Sequence, residues 1–213
     1  TVDGSVNLPF ANHYVSLGGE WRRESLEDGG FATGEAEAIH RALFVQDEID
    51  LSDELSLVLG SRFDQHEEYG WETSPRAYLV YHASDAWTIK GGGGRGFKAP
   101  TLKQLSPQYS AIGGGGMFTI YGNPELEPET NTSYELSADY LGDSWSLNAG
   151  VFQNNVRNLI QTVCVSNCGI RGTEVRHYEN VDAARIQGIE LGFGVELPAD
   201  LHWRMNYTYL DAV

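Results

Sequence analysis

The sequence predicts an all-β, antiparallel transmembrane β-barrel wall. Three observations carry that reading: side chains alternate apolar and polar over long stretches, the connections between those stretches alternate short and long, and tryptophans recur beside the short ones. Composition agrees, because the 213 residues include 25 Gly, 11 Tyr and 5 Trp but only 2 Cys and 2 Met, a profile of many short strands. No apolar run approaches the roughly 20 residues of a membrane-spanning helix.

Taken in order, a leading strand precedes Asn7. Wall strands follow over Tyr14 to Glu27, Ile39 to Leu51, Leu55 to Gln65, Ser74 to His82, Trp87 to Phe97, Ser133 to Leu141, Trp145 to Ile160, Tyr178 to Leu197 and Leu201 to Asp211. From Leu55 to Asp64 the odd positions read Leu55, Leu57, Leu59, Ser61 and Phe63, and the even ones Ser56, Val58, Gly60, Arg62 and Asp64, so one face is apolar and the other mostly polar. The same dyad returns at Trp145, Leu147, Ala149 and Val151, at Ile189, Leu191, Phe193, Val195 and Leu197, and at Leu201, Trp203, Met205, Tyr207 and Tyr209. Acidic and basic groups such as Glu190 and Arg204 share the opposite face.

Water-soluble sandwiches alternate as well, so the rhythm of the connections decides. Short polar turns near 8–12, 52–54, 84–85, 142–143 and 198–200 face long connections at about 28–38, 66–73, 98–132 and 161–179. Closure of such a wall is demanded because hydrocarbon cannot satisfy an open strand edge. Trp87, Trp145 and Trp203 each open a strand past a short turn, Tyr140 lies just before one and Phe10 within one. These are the positions of an interfacial aromatic girdle, whose rings face outward. Ordinary core aromatics are the competing reading and would be buried.

The formal charge of −16 argues against nucleic-acid binding, which needs a surplus of Lys and Arg. Cys164 and Cys168 enclose only Val165, Ser166 and Asn167. The pair lacks the further ligands of a structural zinc site and the Cys-x-x-Cys redox spacing, so a small disulfide pinning a loop tip is preferred to free thiols. No Gly-x-Ser-x-Gly elbow occurs, and His13, His40, His66, His82, His177 and His202 show no metal-ligand spacing. No catalytic or metal residue is therefore assigned, and no enzyme is expected. His66 with Glu67 and Glu68 reads as decoration of an outer loop. The run from Ala111 to Met117 lacks the Gly-Lys-Ser/Thr ending of a phosphate loop and reads as a flexible external loop. Gly91 to Gly94 fall in a wall strand, where missing side chains leave lumenal space or allow curvature. The N-terminus, Thr1 to Ser5, has neither the basic nor the apolar region of a signal peptide.

Arg95-Gly96-Phe97-Lys98-Ala99-Pro100 is followed about two dozen residues later by Gly122-Asn123-Pro124-Glu125-Leu126-Glu127-Pro128-Glu129. In order and spacing these segments resemble the outer rim of TonB-dependent outer-membrane receptors. The stretches Leu43 to Ile49, Leu59 to Asp64, Gly150 to Ile160 and Tyr178 to Glu190 look like wall strands of that family, so the resemblance covers nearly the whole chain. Its details are closest to receptors for iron complexed with catecholate siderophores, a group that also includes colicin receptors.

The resemblance implies a single barrel region over residues 1–213, about nine or ten strands of a 22-stranded receptor barrel, in the outer membrane of a Gram-negative bacterium. The family's plug domain, its TonB-contacting box and its closing C-terminal strand are expected to be absent from this sequence. The implied task is capture and gated import of a ferric siderophore, the transported ligand, with no covalently bound cofactor. Implied partners are outer-membrane lipid, the TonB complex through the plug, and colicin or phage. A ferric tris-catecholate is bulky, aromatic and anionic, so Lys98, Lys103, Tyr109, Tyr121, Arg171, Arg176 and His177 in the outer loops suit it through charge-assisted contacts and stacking. Two alternatives stay open: a truncated or engineered receptor-derived β-scaffold without transport, and a receptor of the same family for haem or cobalamin.

Overall fold

The computed structural model describes every residue except Asp182 and Asp200. In chain order the elements are β1 (Val2–Phe10), β2 (His13–Glu27), β3 (Glu35–Asp50), β4 (Leu55–His66), β5 (Gly70–His82), β6 (Trp87–Lys98), α1 (Leu102–Leu105), β7 (Ser110–Gly113), β8 (Phe118–Tyr121), β9 (Glu129–Leu141), β10 (Trp145–Arg157), β11 (Leu159–Ser166), β12 (Glu174–Val181), β13 (Ala184–Leu197) and β14 (Leu201–Ala212). Ten of them form one antiparallel sheet in the order β1-β2-β3-β4-β5-β6-β9-β10-β13-β14. Each wall strand lies beside its sequence neighbour, except where the inserts β7–β8 and β11–β12 rise from one end to form a separate four-stranded sheet, β11-β12-β8-β7.

The register turns the sequence alternation into two chemically distinct faces. Leu43 lies opposite Gly19 and Phe63, Leu59 opposite Ala77, and Ala149 opposite Ala138 and Leu191. Apolar side chains of adjacent strands therefore share one surface, and a slip of one residue would send each of them to the other side. The opposite surface is polar and internally paired. Arg62 bonds Glu20 at 2.8 Å and Asp64 at 2.9 Å, Lys90 meets Asp139 at 3.2 Å, and Arg76 donates to Gln46.

The apolar surface is bare of protein. Leu43 is 65% exposed and Leu136 55%, and no large side chain is fully buried among the described residues. A soluble sandwich would cover such a face with a second layer; in a membrane wall, hydrocarbon covers it. Along the short-turn end of this face runs a row of rings: Trp87 to Tyr140 at 5.1 Å, Tyr140 to Trp145 at 4.1 Å, Trp145 to Phe193 at 6.2 Å and Phe193 to Trp203 at 5.9 Å. Trp87, Trp145 and Trp203 are all exposed, as a girdle requires and core aromatics do not. Phe10 closes β1 rather than sitting in a turn, and stacks on His13 at 5.2 Å.

At the far end several expectations need correction. Strand β3 begins at Glu35, which shortens the first outer connection, and only Glu67, Glu68 and Tyr69 separate β4 from β5. Past the bilayer, polar residues sustain the strand ladder as well as apolar ones, so hydropathy alone places the outer strand ends too close to the bilayer. The longer connections are folded rather than loose. Ala111 to Met117 forms the β7–β8 hairpin, with Gly114, Gly115 and Gly116 at φ 59, 66 and 90° supplying its left-handed turn. The strand expected over Trp145 to Ile160 breaks at Asn158, whose φ is 56°, into β10 and β11. The one expected over Tyr178 to Leu197 divides into β12 and β13. Gly92 leaves no lumenal space: a Cβ there would lie 2.3 Å from the Ala77 carbonyl oxygen and 2.7 Å from a Tyr78 ring carbon. Tyr78 occupies that room.

Candidate functional site: the outer platform

The outer sheet and α1 form a platform on the long-connection end of the wall. Its foundation is local. Past β6 the chain turns through buried Pro100, and Thr101 caps α1 with a reciprocal pair: its hydroxyl accepts from the Gln104 amide at 3.3 Å, and the Gln104 side chain accepts from the Thr101 amide at 2.8 Å. Leu102 and Leu105 are buried beneath the turn. Leu102 joins Phe31, Ala38 and Tyr109 in a small apolar cluster that fastens the platform to the β2–β3 connection. Phe31 and Tyr109 also form an isolated β-bridge, their rings 5.2 Å apart.

The two sequence motifs meet here as an anchor. The Asn123 amide donates to the Gln104 carbonyl at 2.6 Å, and its side chain donates to the Tyr178 carbonyl at 3.0 Å. Leu126 is buried. Asn180 accepts from the Glu127 amide at 2.8 Å and donates to the carbonyls of Glu127 and Asn158 at 2.9 and 2.8 Å. Glu129 accepts from the Ile160 amide at 2.9 Å and pairs with Lys98 at 3.0 Å. Arg95 reaches back to Glu72 at 3.1 Å, and Phe97 lies edge-on to Tyr69 at 6.1 Å. These motif residues hold structure together, and none of the contacts needs a ligand.

The candidate ligand residues fall into separate groups. Tyr121 and His177 face each other with ring centroids 5.8 Å apart in a cleft of about 450 Å³, lined also by Pro107, Gly122, Asn123, Pro124 and Glu125. On the other face of β12, Arg176 lies over the Phe118 ring at 4.4 Å and bonds Glu174. Lys103 and Tyr109 pair on another flank, with the ammonium 5.6 Å from the ring centroid. Lys98 stands at the rim with Glu129. Arg171 is exposed beside the hairpin tip, which the Cys164–Cys168 disulfide closes. Parallel pairing of β8 with β12 is what brings Tyr121 opposite His177, and no local pattern in the sequence announces such a contact.

Most of these cations are already matched. The Arg176 guanidinium, and after it the Gly169 amide, holds the Glu174 carboxyl below the usual range. Lys103 does the same for Asp28 through a 2.6 Å contact, helped by the Gly30 amide, and Asp28 in turn raises the Lys103 ammonium. A carboxyl with a lowered folded pKa contributes stability that is present above its ordinary value and lost as pH falls through the lowered one. Acid below about pH 4 is therefore expected to loosen α1 from the β2–β3 connection. The measurement is pepsin cleavage near Leu105 between pH 4 and pH 2: it should rise steeply in the native chain, while Asp28→Asn should cleave readily across the range. Equal cleavage profiles would remove this role of the pair.

His66 corrects a further expectation. It is no loop ornament but the buried last residue of β4, stacked on Tyr69 at 4.2 Å, and the Glu67 carboxylate accepts from the Ile39 amide at 3.2 Å. Burial pushes the Tyr69 phenol up to about 12. Pro107, which lines the cleft, and Asn158 and Asn180, which bond Glu127, lie outside the two sequence motifs. Asn180 lies in a stretch that looks like an ordinary wall strand, and only its partners mark its role.

Comparisons with known proteins accord with this architecture. The family model described as TonB dependent receptor-like, beta-barrel matches residues 1–213. The iron-regulated outer membrane virulence protein of Vibrio cholerae serotype O1 is 32% identical over 212 residues, covering 94% of this chain and 32% of the relative. The ferric enterobactin receptor PirA of Pseudomonas aeruginosa is 28% identical over 242 residues, covering 98% and 32%. The crystal structure of the siderophore receptor PirA from Pseudomonas aeruginosa superposes with a TM-score of 0.91 at 29% identity, covering 99% of this chain and 42% of that one. The chain thus spans about a third of the length of the curated relatives it matches.

Proposed function

Because the chain belongs to the TonB-dependent receptor β-barrel family, we propose that residues 1–213 form part of the wall and outer platform of a receptor that takes up a ferric siderophore of the catecholate type. Its place is the outer membrane of a Gram-negative bacterium. The observation that carries the ligand reading is the cleft, where Tyr121 and His177 present two rings with centroids 5.8 Å apart. A flat, electron-rich catecholate ring suits an open face of either ring by stacking. Lys103 is matched by Asp28 and Tyr109 is buried in the apolar cluster, so in this reading the pair supports the platform rather than the ligand.

The division of labour follows from the two faces of the wall. The apolar face holds the protein in lipid and the polar face lines a passage, while the platform, fastened by Asn123 and Asn180, presents the capture residues. Energised gating by a plug and the TonB complex belongs, in this reading, to other parts of a receptor. The platform performs recognition without bond chemistry.

Binding of ferric enterobactin to the intact native polypeptide that contains residues 1–213, followed by quenching of tryptophan fluorescence, tests the proposal. Tyr121→Ala and His177→Ala are each expected to weaken binding by about 5- to 10-fold, the loss of roughly 1 kcal/mol of ring contact. Saturable binding of haem or cyanocobalamin, with none of ferric enterobactin, would replace the catecholate reading.

A further inference from the structure

The apolar face carries a feature that general solvation by hydrocarbon does not need. Between the outer halves of β2, β3, β4 and β5 lies a groove of about 540 Å³, lined by Gly19, Trp21, Arg41, Leu43, Phe63 and Trp71. It exists because Gly19 has no side chain: a Cβ there would come within 3.2 Å of a Leu43 methyl and 3.3 Å of the Ala42 carbonyl oxygen. Leu43, Phe63, Trp21 and Trp71 supply its walls, and all four are exposed.

Depth can be read along β5. Trp71 precedes Tyr81 by ten positions, about 33 Å at the usual rise per residue. With the usual strand tilt this corresponds to a height of about 25 Å, that of the apolar band of an outer-membrane barrel. Tyr81 lies near the short-turn rim, so Trp71, and Trp21 at the same level across Gln65 and Arg41, mark the opposite headgroup level. The groove runs from that level into the hydrocarbon.

At its mouth stands Arg41. It is exposed, lies opposite Trp21 on β2 and Gln65 on β4, and makes no ion pair among the described residues. Arg23, also on this face, is held by Glu37 at 2.6 Å, and the Glu67 carboxylate accepts from the Ile39 amide. A cation without a counter-charge at the headgroup level, above an apolar slot, matches one kind of molecule. We propose that the groove binds a single membrane lipid, one acyl chain lying over Gly19 and a phosphate headgroup held by Arg41. The planar guanidinium suits phosphate in two-point contact, while the flanking tryptophans fix the chain below it. The site is independent of what the outer platform binds.

Native mass spectrometry of the intact native polypeptide, delipidated in nonionic detergent, tests this. The probes are dioleoyl phosphatidic acid and dioleoyl phosphatidylcholine, which share chains and differ in headgroup. One phosphatidic acid adduct should survive activation at roughly five-fold or more over phosphatidylcholine. Arg41→Gln should abolish that preference, Arg41→Lys should keep part of it, and Gly19→Leu, which fills the slot, should lower retention of both lipids. Arg41 is exposed, so its variants leave the sheet intact. Equal retention of the two lipids by the native chain, a preference that survives Arg41→Gln, or unchanged retention in Gly19→Leu would each overturn the proposal.

Discussion

Gly122→Ala is expected to detach the outer platform while leaving the ten-stranded wall intact. The added Cβ would sit 2.0 Å from the Ser106 carbonyl oxygen, 2.8 Å from its carbon and 2.9 Å from the Lys103 carbonyl oxygen. All three are backbone atoms at the end of α1, and no rotamer change can move them aside. The segment must lift, at a cost of about 1–3 kcal/mol for overpacking, and the adjoining contacts go with it: the Gly122 amide to the Tyr109 carbonyl at 3.2 Å and the Asn123 amide to the Gln104 carbonyl at 2.6 Å. The parallel pairing of β8 with β12, only four residue pairs long, then loses the strut that sets its register. Amide exchange should accelerate at Arg176 and His177 by about 10-fold or more, while amides of β3 and β4 stay protected. Ligand binding should fall in parallel, since Tyr121 and His177 no longer face each other. Unchanged protection of β12 in Gly122→Ala would mean that the motif does not anchor the platform.

The same residues show how far sequence reaches. The wall was legible because hydrocarbon on one side and polar groups on the other impose a period of two: Leu57, Leu59 and Phe63 against Arg62 and Asp64 suffice to orient β4. Turns were legible because glycine, proline and aspartate punctuate them. The outer sheet was not, since β7 and β8 are only four residues each and the pairing of β8 with β12 joins residues 118–121 to 174–177. Such long-range parallel contacts leave no periodic trace. Within the candidate site, residue types could be chosen from sequence, but their grouping could not: the Lys103 ammonium faces Asp28 and Tyr109 rather than the Tyr121 and His177 cleft. Family motifs located the anchor without revealing that Asn123 and Glu129 serve it as hydrogen-bonding struts.

Asp64→Ala should be among the most destabilising single changes in the wall. Asp64 is 2% exposed, and one of its oxygens takes both the Arg62 Nε at 2.9 Å and the His40 Nε2 at 2.9 Å. His40 is itself buried and lies across the strand pair from His66. Truncation would leave the imidazole and the guanidinium Nε without their acceptor, since Glu20 is bonded to the far end of Arg62 at 2.8 Å and Glu72, opposite Asp64, is paired with Arg95 at 3.1 Å. Breaking a buried pair costs about 3–5 kcal/mol. Because the Arg62 side chain is 35% exposed and keeps Glu20, the cost falls below that range, at about 2–3 kcal/mol. Asp64→Asn retains one acceptor oxygen and should cost about 1 kcal/mol, whereas Asp85→Ala, in an exposed turn, should stay within about 0.5 kcal/mol of the native chain. Urea midpoints in detergent micelles give the comparison. Pairing Asp64→Ala with Arg62→Met then separates the two contributions: if the acid serves chiefly to hold Arg62, the double variant should lose less than the sum of the single changes. If the two losses simply add, His40 is the partner that matters, and the buried histidine, not the arginine, is what Asp64 keeps in place.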